Sequence, residues 1–516
     1  MFLILDALAA GGGKRLSSLD VIGAGPRAVA GILESFDVDY QIMRIEDYLR
    51  RRPSGFEVLL VSAMSMDEPT VKRASNGFKG LKILGGPITS DLSVVGRLGF
   101  DLGVWGEGEI SLESLMREGL ESGSLPTDID DIPNLVFPDG RMTKATYLST
   151  EDLNRFRPSS KAVTFYTTLP HYRSARVYVE VVRSCSNYNR PKIWASREIC
   201  NLCRACFDLD LRRRLVCPQG IPPGCGYCSI PQLYGPPKSR EEGSILNEVR
   251  ELASLGVKRI VLSGADFLEY GREKIVKGPL THPYIPGPNL EAIEDLLEGV
   301  RSVALEFGVF FEVENVKPCL VNEEVASILG KYLRGSPIHI GVETGDPVHA
   351  DQIGRPCGPE ESLRAIKLLK EAGLRPYAYF IHSLPGQTER VVKRTIEAMK
   401  RAFYLGAEKI TVYRFRPLPG TAFERHKVVV GKGSKEIADT AISLNRSRKE
   451  ELVGKEILAI VAPYAGRGVY AYPVMGGPVI RLKVRRRLKV GRVVKVKVVG
   501  VLSDRLVEGV LTRASS

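Results

Sequence analysis

Histidine is nearly missing from this chain: there are six in 516 residues, and the first is His171. That excludes imidazole metal sites and histidine acid–base chemistry from the first third of the sequence. Glutamine is scarce while Lys, Arg, Glu and Val abound, a composition that leans towards a thermophile. No apolar run approaches the roughly 20 residues that cross a bilayer, so no membrane partner is expected. The chain opens on no secretory leader pattern and reads as cytoplasmic. Acid does not keep pace with base: 60 Asp and Glu stand against 73 Lys and Arg, a net charge of +13. Cysteine is absent from the first 184 residues, and seven of the nine then fall between Cys185 and Cys228.

Thiolates gathered this closely bind soft metals or iron–sulfur clusters. The seven divide as three plus four. Cys225-Gly-Tyr227-Cys228 forms the tail, and Cys185 the head, at the end of the apolar run Val177–Ser184. Between them lie Cys200-x2-Cys203-x2-Cys206 and Cys217-Pro218. The second set echoes ferredoxin spacing, with a four-cysteine zinc site as the alternative. Structural disulfides fit a cytoplasmic chain poorly. Cys319 and Cys357 read as isolated core or loop thiols.

Three segments follow one another. Residues 1–150 alternate short apolar runs (Phe2–Leu8, Tyr40–Ile45, Phe56–Ala63, Leu81–Gly85) with helical patterns, which predicts a doubly wound α/β domain. Ile22-Gly-Ala-Gly-Pro26 looks like a dinucleotide fingerprint but lacks a convincing preceding strand; its glycines are expected to open a helix over Arg27–Phe36. Residues 160–445 give six strand candidates with helices between them: Val177–Val182, Arg259–Ser263, Val309–Val313, His339–Val342, Tyr377–His382 and Lys409–Arg414. They predict a partial (β/α)6 barrel, with residues 186–224 as a cysteine-rich insertion. Residues 450–516 replace helices with five Val-rich strands and Gly-Pro turns, a small all-β barrel. Within it Arg481–Lys497 carries nine Lys or Arg and no acid, a charge pattern that suits nucleic acid.

Cys225-Gly-Tyr227-Cys228, preceded by Cys185 after a strand, resembles the cluster motif of the radical SAM superfamily. The resemblance implies a [4Fe–4S] cluster on three thiolates whose open iron chelates S-adenosylmethionine (SAM), for one-electron cleavage to a 5′-deoxyadenosyl radical. The departure is the 39 residues between Cys185 and Cys225, read as an insertion in the cluster loop. Cys217 is the rival first ligand. The resemblance also implies SAM contacts: Tyr227, Gly264 and Asp266 in place of a "GGE" phrase, Glu343 in Ile340-Gly-Val-Glu343-Thr-Gly, and Pro385-Gly386 in Phe380–Thr388. No residue is singled out as the catalytic acid or base. Leu84-Gly-Gly-Pro-Ile-Thr89 and Gly103–Glu109 resemble the cobalamin-binding-type domain that precedes many such barrels, so cobalamin is a possible cofactor. The tail resembles the TRAM domain, an OB-like RNA-binding barrel, with Arg481, Arg485, Arg486, Arg487 and Lys489 as phosphate contacts. Tyr464, Tyr470 and Tyr472 are expected either to stack on bases or to fill the core.

The combined expectation is a radical SAM enzyme that transfers a methyl or methylthio group to a carbon of RNA, tRNA first among candidates, with an electron-donor protein as partner. Methylthiotransferases share the tail and the phrase Arg355-Pro-Cys-Gly-Pro-Glu-Glu361, but they carry three further cysteines in the N-terminal domain, where this chain has none. A cobalamin-dependent enzyme acting on a small molecule or protein is the second reading. A non-catalytic RNA-binding protein with a structural metal is the third.

Overall fold

The computed structural model describes residues 1–13, 15, 18–463, 468–484 and 488–512. Strands β1 (Phe2–Asp6), β2 (Val21–Ile22), β3 (Tyr40–Arg44), β4 (Val58–Ser62), β5 (Leu81–Gly85), β6 (Leu102–Val104) and β7 (Leu135–Val136) open the chain. Six of them form a sheet in the order β3-β1-β4-β5-β6-β7, parallel except for β7. Their residues are mostly apolar because both faces are covered, with Asp6, Gln41, Arg44, Ser62 and Lys82 as the polar exceptions in β1, β3, β4 and β5. Ile4, Leu60 and Ile83 meet the helices Ala24–Ser35 and Glu109–Arg117 on one face. Leu3, Leu5, Leu59, Val61 and Leu84 meet three helices from Ile45 to Leu98 on the other.

Strand β2 leaves this sheet. Val21 and Ile22 pair in parallel with Arg176 and Val177. The Gly-Ala-Gly phrase therefore does follow a strand, and its helix begins at Ala24, earlier than expected. Two buried residues between polar neighbours were too short to read as a strand; a distant partner makes them one.

The middle of the chain carries β8 (Arg176–Glu180), β9 (Val182–Arg183), β10 (Lys238–Ser239), β11 (Arg259–Ser263), β12 (Phe310–Val313), β13 (Asn315–Val316), β14 (Pro337–Glu343), β15 (Arg375–His382) and β16 (Lys409–Arg414). They run β2-β8-β11-β12 and β13-β14-β15-β16, all parallel, with the short pair β9·β10 apart. Only Glu314 separates β12 from β13, so six parallel positions curve into the expected partial barrel. Its helices share one continuous apolar core with the first sheet. Each fully buried Leu, Ile or Val in that core contributes about 1.5–3 kcal/mol, so the two units are joined by more than a linker.

Beyond the 19-residue helix Lys432–Glu450, strands β17 (Glu456–Val461), β18 (Val469–Pro473), β19 (Val479–Leu482), β20 (Val493–Val501) and β21 (Leu506–Leu511) close a barrel in the order β17-β18-β19-β21-β20. Only β19 and β21 pair in parallel. A five-stranded closed barrel of this order is OB-like. It docks where the large barrel's strands begin. Arg375, the first residue of β15, donates to Met475 O (2.9 Å) and Gly476 O (2.8 Å). A Cβ on Gly476 would lie 2.8 Å from Pro337, the first residue of β14.

Cys319 and Cys357 correct one expectation: they form a disulfide, with 5.3 Å between Cα atoms. The parallel pairing of β13 with β14 sets the turns after the two strands side by side. A separation of 38 residues hid that. Thiol titration of the metal-free chain in denaturant should find seven free thiols before reduction and all nine after it. Loop entropy makes the bridge worth about 4 kcal/mol, so reduction should also lower the melting temperature. Nine thiols before reduction would remove the bridge.

Candidate active site at the barrel mouth

The mouth is formed by the ends of the parallel strands, where backbone groups and side chains face one cleft. Val182–Arg183 leads from β8 into Ser184, whose backbone is left-handed (φ 77°). Ser184 is buried and its hydroxyl donates to Gly235 O. This kink delivers Cys185 into the mouth. Asn187, also buried, donates to Cys225 Sγ (3.3 Å) and Gly354 O (3.0 Å). Cys228 N donates to Cys225 O (2.8 Å), closing a tight turn. Burial pushes the Cys228 thiol up to about 12, and the nearby Cys225 and then Cys185 add to the rise. Burial likewise raises Cys185 to about 11, with Lys317 opposing. Cys185, Cys225 and Cys228 are thus within electrostatic reach of one another.

Cys217 stands elsewhere. With Cys200, Cys203 and Cys206 it lines a separate pocket of about 50 Å³ in the insertion. Gln219 Nε2 donates to Cys200 Sγ (3.2 Å), and Arg190 Nη1 lies 3.8 Å from Cys206 Sγ. Among the described residues no three His, Cys, Asp or Glu side chains gather on one point as a single metal ion would gather them.

Two basic residues flank the three mouth cysteines: Arg355, which the sequence offered only as the start of a phrase shared with methylthiotransferases, and Lys317, which it did not offer at all. Arg355 donates to Gly341 O (2.6 Å) and to the Tyr227 hydroxyl (3.4 Å), and lies 3.7 Å from Glu343. Glu343 sits at a left-handed residue (φ 67°), and burial raises its carboxyl against the pull of Arg355. Lys317 is buried against Glu269 and donates to Ser186 Oγ (3.0 Å) and Pro283 O (3.2 Å). Glu269 is further held by Arg272 at 2.5 Å. Burial opposes its ionisation, but Lys317 and Arg272 overcome that and hold the carboxyl at about 2. The Cys319–Cys357 bridge ties together the turns that carry Lys317 and Arg355.

Asp266 belongs to the same network. Its Oδ1 accepts from Leu268 N (3.1 Å) and Lys317 N (2.9 Å). Its Oδ2 is buried and accepts no hydrogen bond, with Lys317 Nζ 3.4 Å away. Arg355 Nε is likewise buried without an acceptor. Arg272 Nε, in the same network, is also buried without an acceptor. Such groups are costly unless a ligand completes them, and an amino acid's ammonium and carboxylate would do so.

Pro385 and Gly386 turn at the end of β15. Pro385 O accepts from His349 Nε2 (2.8 Å), which leaves Nδ1 to accept from the Thr344 hydroxyl (2.9 Å). His349 is thereby a neutral strut, consistent with burial lowering its affinity for a proton. Gly386 has φ 75°, and a Cβ there would meet Ile193 Cδ1 at 2.4 Å, so only glycine fits under the insertion. Gly264 lines a cavity of about 510 Å³ that lies between the first sheet and the barrel mouth. Gly85, Gly86, Pro87, Gly106, Glu107, Gly108 and Glu109 line its other side. At its edge Glu107 accepts from Lys238 Nζ (2.9 Å) and Arg183 Nη1 (3.1 Å), while Arg183 also binds Glu109 and Glu180 (2.7 Å each).

Arg485, Arg486, Arg487 and Tyr464 lie outside the described residues. Lys489 is exposed. Arg481 is exposed but shares Glu508 (3.4 Å) with Lys483 (2.7 Å). Tyr472 is half-buried, and burial raises its hydroxyl, with Asp20 adding to the rise and Arg259 and Arg176 opposing it.

Residues 216–399 match the Radical SAM superfamily. The match includes Cys217, Cys225 and Cys228 and leaves Cys185 outside. Uncharacterized protein MK0932 of Methanopyrus kandleri is 41% identical over 99% of this chain and 96% of its own length. Uncharacterized protein MJ1620 of Methanocaldococcus jannaschii is 39% identical over 89% and 88%. The tRNA-2-methylthio-N(6)-dimethylallyladenosine synthase of Pelobacter propionicus is 26% identical over 42% of this chain and 46% of its own length. Among solved structures, the radical SAM methyltransferase TsrM of Kitasatospora setae, with cobalamin and a [4Fe–4S] cluster bound, shares the fold: TM-score 0.54 at 14% identity, over 82% of this chain and 77% of that one. Similarity of this depth along nearly the whole length means that the chain belongs to the family of MK0932 and MJ1620, and through its barrel to the radical SAM superfamily.

Proposed function

We propose that the chain is an RNA-modifying radical SAM enzyme that transfers a methyl or methylthio group to a nucleotide carbon, with tRNA as the first candidate substrate. The observation that carries this reading is the OB-like barrel on the same chain as the radical SAM barrel. In it, Cys185, Cys225 and Cys228 hold a [4Fe–4S] cluster, which when bound and reduced supplies the electron that cleaves SAM. The donor set suits that role: three thiols share the mouth, while the other four free cysteines line a pocket of their own. Asp266 Oδ2 receives the methionine ammonium of SAM and Arg355 Nε its carboxylate, each a buried atom without a hydrogen-bond partner in the protein. Tyr227 packs at the cluster loop, and Glu343 and Pro385-Gly386 face the nucleoside. Cys200, Cys203, Cys206 and Cys217, which line one pocket, form a second metal site, and their ferredoxin-like spacing favours an iron–sulfur cluster over zinc. The residues 1–150, 160–445 and 450–516 act as three domains: a cobalamin-binding-like unit, the radical SAM core and a TRAM-like barrel.

The placement of the small barrel constrains the substrate. It docks at the end of the large barrel opposite the cysteines, and a seven-residue strand spans about 23 Å. An RNA held by both must bridge that distance, which a tRNA does. Reversing Arg485, Arg486 and Arg487 to Glu should weaken tRNA binding and lower the salt slope by about 0.7–0.9 per lost phosphate contact, with RNA-free SAM cleavage unchanged. Filter binding over a salt series measures it; unaltered affinity would move the RNA surface elsewhere. Comparing tRNA nucleosides by mass spectrometry in a deletion strain identifies the product, and an unchanged nucleoside profile would sink the RNA reading.

A second reading, a cobalamin-dependent enzyme acting on a small molecule or protein, is favoured by the 510 Å³ cavity between the Gly-rich strand ends and the mouth. Corrinoid retained after anaerobic reconstitution with cobalamin would support it, and none retained would remove it.

A further inference from the structure

A cavity of about 490 Å³ shares a wall with the mouth. It lies between residues 191–195 of the insertion and residues 420–425 of the loop after β16. Phe423 is the shared wall: its backbone N–H donates to Gly226 O (2.9 Å), between Cys225 and Cys228. Trp194 also lines the cavity. Its ring meets Phe423 edge-on at 5.1 Å and His426 at 5.8 Å, yet the residue is 59% exposed. A tryptophan held by two neighbouring rings, with most of its surface open, has the build of a stacking platform.

Most polar side chains around the cavity are already occupied. Gln219 accepts from Ser196 N (2.8 Å) and donates to Cys200 Sγ (3.2 Å). Thr421 donates to Leu418 O (2.7 Å). Glu424 accepts from Gly420 N (2.9 Å) and pairs with Arg425 (3.5 Å). Gln232 is different. It sits on the helix Ile230–Tyr234, just past Cys228. Its Oε1 is buried and accepts no hydrogen bond among the described residues. A Cβ on Gly420 would lie 3.2 Å from that oxygen, so the glycine leaves room before the amide. Such an acceptor is costly until a donor reaches it.

The loop beside the cavity is basic. Residues 414–435 carry six Lys or Arg and one acid, Glu424. Arg425 turns onto Glu424, and Lys432 onto Glu436 (3.9 Å). Arg414, Arg416 and Lys427 are exposed and make no ion pair among the described residues. Phe415 packs on Phe423 (6.2 Å) and His426 (5.9 Å), which keeps these three charges next to the cavity.

We infer that this cavity takes an unpaired, amino-bearing base of the substrate RNA, adenine first, from a nucleotide beside the one that is modified. The inference rests on the RNA reading of the enzyme. Trp194 stacks on the base, Gln232 Oε1 accepts from its exocyclic amino group, and Arg416 and Lys427 hold the flanking phosphates. A carboxamide matches the paired donor and acceptor on the edge of adenine. An aromatic plane combined with a hydrogen-bonding group is how proteins read the splayed bases of single-stranded RNA. The base held here is not the target, because Phe423 stands between the cavity and the turn of Cys225 and Cys228. The substrate therefore presents a loop at the mouth, not a helix. The adenine of SAM would bring the same chemistry, and the test separates the two sources.

Of the two tryptophans in the chain Trp105 is buried, so quenching of tryptophan fluorescence by a ligand reports Trp194. With the anaerobically reconstituted full chain, hexa-adenylate should quench it. Hexa-inosinate, with a carbonyl in place of the amino group, should bind about tenfold more weakly. Trp194→Ala should weaken hexa-adenylate binding about fivefold to hundredfold, read by anisotropy of a labelled strand, and Trp194→Phe should recover most of that loss. Gln232→Leu should bring the two strands to equal affinity. R416E/K427E should lower the salt slope by about 0.7 for each lost contact. Trp194 does not line the cysteine pocket, so the iron content of W194A should match the parent's. Unchanged hexa-adenylate affinity in W194A, or equal affinity of the parent for the two strands, would overturn the base site. So would quenching by S-adenosylhomocysteine that hexa-adenylate does not share, which would give the cavity to SAM. If tRNA binds while hexa-adenylate leaves Trp194 unaltered, this site fails and the RNA reading stands. If the strands behave as expected but a deletion strain loses no tRNA nucleoside, the site stands and the modification reading fails.

Discussion

Replacing Cys225 and Cys228 together with alanine should drop SAM cleavage to background, a loss on the order of 10³-fold or more, as when the group on which the chemistry depends is removed outright. The metal on Cys200, Cys203, Cys206 and Cys217 should remain. The reason is geometric. Cys225 and Cys228 belong to one tight turn and share the mouth with Cys185, whereas the other four line their own pocket in the insertion. Iron and sulfide analysis of the double variant should therefore show about half the parent's iron if both sites hold [4Fe–4S] clusters. Cys217→Ala should do the reverse, spoiling the insertion's metal while SAM cleavage by titanium(III) citrate persists. If C217A abolishes cleavage and C185A does not, Cys217 is the first ligand and Cys185 belongs with the other set. Loss of all iron together in C225A/C228A would show a single centre.

What could be read from the chain depended on the range of the signal. Strands buried on both faces announce themselves as short apolar runs, and six middle-segment runs became the six barrel positions. The tail was legible because strands of Val alternating with Lys have one buried face: β20 alternates exposed and buried residues over most of its length. The cysteine partition was legible because spacing alone separates the sets. Pairings across long stretches were not legible. Val21–Ile22 becomes a strand only by meeting β8, and Cys319 meets Cys357 only because β13 and β14 run side by side. Lys317, and the place of Arg355 beside the cysteines, were missed for the same reason. Each is an ordinary basic residue in sequence, and only the barrel's curvature sets both beside the cluster loop. A weak sign existed: both precede proline at a strand or helix end, where the backbone is extended and the side chain is held in place.

The docking of the small barrel carries a consequence for architecture. A chain of polar contacts runs down the inside of the large barrel, from Glu314 with Ser263 near the mouth (3.1 Å) to Arg176 with Asp20 at the base (3.2 Å). His339 stacks on Tyr377 within that interior, and Tyr379 on Tyr413. The base is then closed by Arg375 with Glu408 and the backbone of Met475 and Gly476. The small barrel thus covers the large barrel's far end. Exclusion of water is what radical chemistry at the mouth demands.

Lys317→Met should be the most destabilising single change at the mouth. Its ammonium is buried with Glu269, Asp266 and Arg272, a set of two positive and two negative charges. Removing it leaves one carboxylate without a counter-charge in a site closed to water, a loss of about 3–5 kcal/mol for breaking a buried pair. The melting temperature of the metal-free chain should fall by several degrees. Asp266→Asn should restore much of that loss in the K317M background, because Asn Oδ1 can still accept from Leu268 N and Lys317 N while the surplus charge disappears. The pH dependence has a definite sign. Burial already raises the Asp266 carboxyl above its ordinary range, with Lys317 opposing. Without Lys317 it rises further. A carboxyl whose folded value exceeds its unfolded one favours the fold below the unfolded value and loses that contribution as pH climbs through the folded value. The deficit of K317M against the parent should therefore be small near pH 5 and larger near pH 8, and D266N should remove that slope. A deficit that does not change with pH, or one that D266N leaves untouched, would show that Lys317 and Asp266 do not share a buried charge balance.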